Sequence, residues 1–256
     1  MKVLLKSGML NYLDQGTGPA VLLIHAFPLN HTMWEPQLSV LTPRFRVIAP
    51  DIRGFGESQP PSAWTMEEMA DDLNELLGKL DVTDCAVAGI SMGGYIALQF
   101  WSKYSTRVRK LVLADTRARA DNETEIKARN EMIAAIEHGT IVLSDRMLPR
   151  LLQPNASHDV AGTVRAMIAG VDASAAAHAV VAMRDRPDFS SALHRIKCPA
   201  LVVTGENDAI IRPDDSRGIA DAIPGAQFVQ ITDSGHLSNL ENPAAFNRAL
   251  LDFLLL

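Results

Sequence analysis

Gly89-Ile90-Ser91-Met92-Gly93 restricts this chain more than any other segment. It lies between an apolar run, Cys85 to Ala88, and a helix-forming run from Gly94 to Trp101, so a serine occupies the corner between a strand and a helix. Reversing within about one residue forces the serine backbone into a strained conformation and pushes its hydroxyl out beyond the sheet edge. Glycines at 89 and 93 remove side chains that would collide across such a turn, and Gly94 lets the new helix approach the strand it leaves. This is the pattern of a nucleophile elbow.

A serine hydroxyl is a poor nucleophile near neutral pH and needs a base. Two later loops offer partners: Asp208 in Gly205-Glu206-Asn207-Asp208, after the strand-like run Pro199 to Thr204, and His236 in Asp233-Ser234-Gly235-His236, after Ala226 to Thr232. Loops leaving the carboxyl edge of one parallel sheet can converge, and ligands gather at that edge in open α/β sheets. With an ordinary pKa of about 6.5 the imidazole of His236 suits a general base, and a carboxylate on its far nitrogen fixes the tautomer. Asp115, behind the run Lys110 to Ala114, competes for that acid position, and Glu206 is a third option.

The order Ser91, Asp208, His236 resembles the α/β-hydrolase family. Two further segments carry the resemblance: His25-Ala26-Phe27-Pro28 after Ala20 to Ile24 looks like the family's oxyanion loop, and Asp51-Ile52-Arg53-Gly54-Phe55-Gly56-Glu57-Ser58 looks like its Asp-x-Arg-Gly-x-Gly-x-Ser turn. The likeness runs from the hairpin near Val3 to the last helix near Leu254. Within the family the chain is most similar to bacterial esterases and lactonases with a small cap, notably 3-oxoadipate enol-lactonases and acyl-homoserine-lactone hydrolases. That narrower likeness rests on Phe27-Pro28-Leu29 and Leu113-Ala114-Asp115-Thr116, phrasing partly shared by cofactor-free perhydrolases.

The resemblance implies an α/β-hydrolase fold, a mostly parallel eight-stranded sheet flanked by helices, with a small helical cap after the sixth strand. It implies hydrolysis of small to medium esters or lactones through an acyl-enzyme at Ser91, with His236 as base, Asp208 as orienting acid and the backbone N–H groups of Phe27 and Met92 as oxyanion donors. Phe27, Met132, Ile210 and Leu237, with Met92, are the expected pocket walls and favour a largely apolar acyl group. His25 is expected to brace its loop, and Asp51 and Arg53 to form a bracing ion pair. No cofactor or metal is called for. The partners are a small-molecule substrate and water, and the chain is a monomer or homodimer. Perhydrolysis, a lactone-specific hydrolase and a ligand receptor on the same fold are the alternatives.

Apolar runs at Ala20 to Ile24, Arg46 to Ala49, Cys85 to Ala88, Lys110 to Ala114, Pro199 to Thr204 and Gln227 to Ile231 are short and mostly unalternated, as strands covered on both faces should be. Lys2 to Ser7 and Met9 to Asp14 predict a hairpin with Gly8 near its turn. Thr65 with Glu68 forms a capping box for a helix to Leu80, with Trp64 and Met69 as its hydrophobic staple. Asn242 before Pro243 starts the last helix. Between Arg117 and Asp188 the alanines, methionines and leucines recur at helical spacing, broken at Gly139, Pro149, Pro154 and Gly170. Four short helices are expected there, as a cap spanning residues 117–188 on a core of 1–116 and 189–256.

Of 256 residues, 47% are hydrophobic and 21% charged, enough for one large α/β core. A net charge of −6 with scattered arginines argues against a nucleic-acid partner. The chain has no run of roughly 18 apolar residues to span a membrane, and its first residues enter strand pattern directly, so a cytoplasmic location is expected. Cys85 and Cys198 each begin a predicted strand and are expected to be small core residues.

Overall fold

Branched apolar side chains suit a pleated surface packed from both sides, and the short Val/Ile/Leu runs become strands for that reason. The computed structural model describes residues 1–59, 63–139 and 141–256. The strands are β1 (Lys2–Leu5), β2 (Gly8–Gln15), β3 (Ala20–Ile24), β4 (Arg46–Pro50), β5 (Cys85–Ile90), β6 (Val108–Ala114), β7 (Ala200–Gly205) and β8 (Gln227–Ile231). They form one eight-stranded sheet in the order β1-β2-β4-β3-β5-β6-β7-β8. The β1–β2 and β2–β4 pairs are antiparallel and every later pair is parallel.

β5 and β7 are buried at every residue. β8 departs from the expectation of two covered faces: only Ile231 is buried, because an edge strand has one neighbour and less cover. The hairpin also differs, since Leu5 pairs with Gly8 and the turn is Lys6-Ser7, with Gly8 opening β2 at φ +127°. Cys85 starts β5 and its thiol is pushed up to about 12 by burial, whereas Cys198 lies outside β7 and is half-buried.

The helices are α1 (Glu35–Leu41), α2 (Met66–Lys79), α3 (Met92–Tyr104), α4 (Glu123–Glu137), α5 (Leu143–Leu151), α6 (His158–Ala169), α7 (Ala173–Arg184), α8 (Pro213–Ala222), α9 (Ser238–Glu241) and α10 (Pro243–Leu255). α1 packs against α10 and α2 against α3, while α8 lies on β7. Thr65 and Glu68 form the reciprocal capping box of α2, with Trp64 and Met69 both buried. Asn242 accepts from the Ala245 N–H and starts α10.

Residues between β6 and β7 contribute α4 to α7, with α4 against α7 and α5 against α6. Pro149 does not break the chain but sits inside α5. A proline within a helix costs about 3 kcal/mol, and burying one Leu or Met side chain contributes roughly 1.5–3 kcal/mol. Burial of Met147, Leu148 and Leu151 on one face therefore outweighs the loss. Among the described residues no single helix is long and apolar enough to cross a membrane.

Candidate active site

Ser91 leaves the end of β5 with φ +56° and ψ −114°, a conformation few L-residues adopt, and α3 begins at the next residue. Its N–H donates to the Ala114 carbonyl at 3.0 Å, and the Thr116 hydroxyl donates to its carbonyl at 2.8 Å, so β6 pins the corner from the side. A Cβ at Gly89 would strike the Gly93 carbonyl across the turn. One at Gly93 would strike the Ile24 carbonyl instead, so that glycine admits the neighbouring strand β3 rather than clearing the turn itself.

The structure brings three distant side chains together. Ser91 Oγ lies 2.8 Å from His236 Nε2, and His236 Nδ1 lies 2.8 Å from Asp208 Oδ2. Asp208 holds its other oxygen against the N–H groups of Ile210 and Ile211, at 2.8 and 2.9 Å, which leaves Oδ2 free for the imidazole. With Nδ1–H donating to the carboxylate, the lone pair of Nε2 faces the serine hydroxyl. Burial pulls the pKa of His236 down, but the charge and hydrogen bond of Asp208, with Asp115 behind, outweigh it and raise the pKa above the ordinary 6.5. The arrangement can pass a proton from Ser91 Oγ to His236 Nε2.

Asp115, the competing acid, does not hydrogen-bond to the imidazole. It is fully buried at the end of β6, where Oδ1 accepts from the Gly205 N–H at 2.7 Å and Oδ2 meets Ser238 Oγ at 2.6 Å. It thus ties the acid-bearing loop to the histidine-bearing loop. Burial, then the charge of Asp208, pushes its pKa far above the carboxylate range. Glu206 points elsewhere, its Oε2 accepting from the Asp233 N–H.

The loop after β3 is fixed by His25, whose Nδ1 meets the Ala26 carbonyl at 2.9 Å while Nε2 accepts from the Ile52 N–H at 2.9 Å. Burial lowers its pKa, in keeping with a neutral ring that donates on one side and accepts on the other. The expected Asp51–Arg53 pair is not formed. Buried Asp51 accepts instead from Asn11 Nδ2, the His31 N–H and the Glu57 N–H, and meets His31 Nδ1 at 2.7 Å. Burial alone would raise the Asp51 pKa, but the His31 contacts dominate and hold it at about 2. Arg53 reaches the other way and forks onto Asp72 of α2. Among the described residues the N–H groups of Phe27 and Met92 have no hydrogen-bond acceptor.

A cavity of about 170 Å³ opens onto Ser91 and His236. Phe27, Met132 and Ile210 line it as expected. Leu237 does not: it is fully buried in the hydrophobic core, as is Met92, because the chain turns inward directly after His236 to start α9. The walls are also more charged than an apolar acyl pocket would be. Arg117, Asp121, Glu125, Arg129 and Arg150 all line the cavity.

Sequence reasoning missed these charged residues, although their spacing carried a signal. Glu125, Ala128, Arg129 and Met132 share one face of α4, and Met147, Arg150 and Leu151 share one face of α5. Glu125 also completes an unread capping box with Asn122. Glu241 was missed as well. Its carboxylate accepts from the Gly235 N–H at 2.9 Å and the Gln153 N–H at 2.8 Å, binding the histidine loop to the chain just after α5. Among the described residues no group of three or more His, Cys, Asp or Glu could hold a metal ion.

Residues 19–243 match the family defined by the alpha/beta hydrolase fold. A thermophilic esterase from Thermogutta terrifontis, solved with malate bound, is 39% identical with a TM-score of 0.94, over 100% of this chain and 97% of that one. The enol-lactonase from Burkholderia xenovorans LB400 is 27% identical with a TM-score of 0.92, over the full length of both chains. A bromoperoxidase from Bacillus anthracis is 26% identical with a TM-score of 0.88, over 96% of this chain and 95% of that one.

Proposed function

The chain belongs to the α/β-hydrolase family, and from that premise we propose that it hydrolyses small carboxylic esters or lactones through an acyl-enzyme at Ser91. One observation carries the reading: Ser91 Oγ sits 2.8 Å from a histidine that is itself backed by a carboxylate, at the floor of a cavity. The similar esterase and enol-lactonase support the bond type.

Ser91 Oγ attacks the carbonyl carbon as His236 Nε2 takes its proton, and Asp208 stabilises the imidazolium. Negative charge collects on the former carbonyl oxygen. The unpaired N–H groups of Phe27 and Met92 receive it, the latter at the first turn of α3 with the helix dipole behind it. His236 returns the proton to the departing alkoxide, which stays tethered when the substrate is a lactone. Water then gives a proton to His236, attacks the acyl carbon and releases the acid, restoring Ser91. Residues 117–188 act as the cap, since faces of α4 and α5 line the same cavity as Ser91 and His236. A cavity of about 170 Å³ lies below the roughly 300 Å³ of pockets for drug-sized ligands, so the substrate is short.

Likeness to a bromoperoxidase favours one second reading, in which hydrogen peroxide takes the acyl group from Ser91 and leaves as a peracid. Short p-nitrophenyl esters and a lactone panel test the main reading. Sustained turnover is expected, and Ser91→Ala should abolish it together with labelling by an organophosphonate. Full ester turnover by Ser91→Ala would end the reading, and peracid formation outpacing hydrolysis in peroxide would favour the second.

A further inference from the structure

The segment between β6 and β7 also meets the triad loops at residues that do not line the cavity. Gln153, just past the end of α5, lays its side-chain amide between the loop that carries Asp208 and the loop that carries His236. Its Oε1 accepts from Asn207 Nδ2 at 3.1 Å, next to the acid, and its Nε2 donates to the Asp233 carbonyl at 2.7 Å, on the turn before the histidine. Asp233 stands at φ +52°, a left-handed conformation that non-glycine residues seldom hold, so the grip falls on a strained point of that turn.

The main chain of Gln153 is fastened as well. Its N–H donates to Glu241 Oε2 at 2.8 Å, and Oε1 of the same carboxylate accepts from the Gly235 N–H at 2.9 Å, next to His236. No room is left between these segments: a Cβ at Gly235 would stand 2.7 Å from the Gln153 nitrogen, and one at Gly205 would strike the Gly235 carbonyl. The Asn207 N–H donates to the Ser234 carbonyl at 2.8 Å, so a shift of either loop reaches the other. Ordering a half-buried glutamine in this way costs side-chain entropy. What it gains is a fixed spacing between two loops whose side chains must meet at 2.8 Å.

We propose that Gln153 is a positioning residue, through which the segment between β6 and β7 holds His236 and Asp208 in register with Ser91, with Glu241 as the second fastening. The proposal rests on the hydrolase reading of the same triad. A small displacement of the imidazole disturbs its contacts with both Asp208 and Ser91, and reaction rates fall steeply with such misplacement.

The test is steady-state kinetics on p-nitrophenyl acetate across pH, beside a urea midpoint for each protein. Gln153→Met removes both side-chain hydrogen bonds without changing charge. It is expected to lower kcat about tenfold with KM little changed, and to move the acid limb of kcat/KM to lower pH as Asp208 slackens its hold on the imidazole. The other charged groups acting on His236, Asp115 and Arg117, are untouched by it. Glu241→Gln should lower kcat further, but it removes a charge near His236, so its pH profile does not serve. Gln153→Glu keeps the bond from Asn207, loses the donation to Asp233, and should fall between wild type and Gln153→Met; it carries the test if Gln153→Met does not fold. Unchanged kcat, a loss confined to KM, or a kcat loss with the acid limb in place overturns the proposal and leaves the hydrolase reading intact. Absence of ester turnover by the wild-type protein overturns both.

Discussion

The two halves of the cavity are built by different physics. The sheet-edge half holds Ser91, Asp208 and His236 on loops leaving β5, β7 and β8, and backbone contacts fix each one: Ser91 through Ala114 and Gly94, Asp208 through two N–H groups, His236 through the Glu241 clamp on Gly235. The helical half adds long charged side chains from α4, α5 and the segment just before α4, tied to one another by ion pairs and to scattered main-chain groups such as the Ile210 carbonyl and the Asn122 N–H. Main-chain anchoring can place an atom to within the tolerance that proton transfer requires. Side chains on helices can change without disturbing it. Reaction chemistry and substrate choice are thereby separated in the structure.

The sharpest test of this division compares two buried acids at the sheet edge. Asp208→Asn is expected to lower kcat by about 10⁴-fold, because an amide cannot hold the imidazole in the tautomer that accepts from Ser91. Asp115→Asn should cost far less, since Asp115 makes no hydrogen bond to the imidazole and an amide of the same shape can still accept from the Gly205 N–H and meet Ser238. Steady-state kinetics on one short ester decides it, and equal losses would break the assignment.

The helical half should fail in stability before it fails in chemistry. Asp121 and Arg186 are 1% and 3% exposed at their side chains, so Asp121→Asn leaves a buried guanidinium short of its counter-ion. Breaking such a pair costs about 3–5 kcal/mol, readable as a lower midpoint in urea, and the surviving folded fraction is expected to keep most of its kcat on a neutral ester. A variant of normal stability would show that the ion pairs of this half are not structural.

The smallest effect is the pH response of the triad. Because the folded pKa of His236 is raised, the imidazole protonates and stops acting as a base at a pH above 6.5 as acid is added. The acid limb of kcat/KM should lie there and fall about tenfold per pH unit. A rate that stays level down to pH 4 would remove His236 from its role.

Local features of the fold were legible because each is decided within a few residues. Gly89 to Gly93 spells a tight corner, Thr65 with Glu68 spells a helix start, and unalternated apolar runs spell buried strands, all in a form that neighbours do not overrule. Pro149 was misread because the buried face of α5 outweighs the local penalty of a proline. Asp51 and Arg53 are adjacent enough to suggest a pair, yet each is claimed by a partner from another element, His31 and Asp72. Leu237 was placed in the cavity by its nearness to His236, but the chain turns inward after the histidine and carries it into the core.

Sequence alone determined where a serine, an acid and a histidine leave the sheet, because strand ends and turns follow from hydrophobic runs and from residues that tolerate tight backbone. Tertiary structure decided that Asp208 and not Asp115 meets the imidazole, and that Glu125 and Asp121 are each paired with two arginines while Arg150 has no acidic partner among the described residues. Those outcomes depend on Coulomb and hydrogen-bond interactions that act over a few ångströms between residues tens of positions apart, distances set only when the helices have packed.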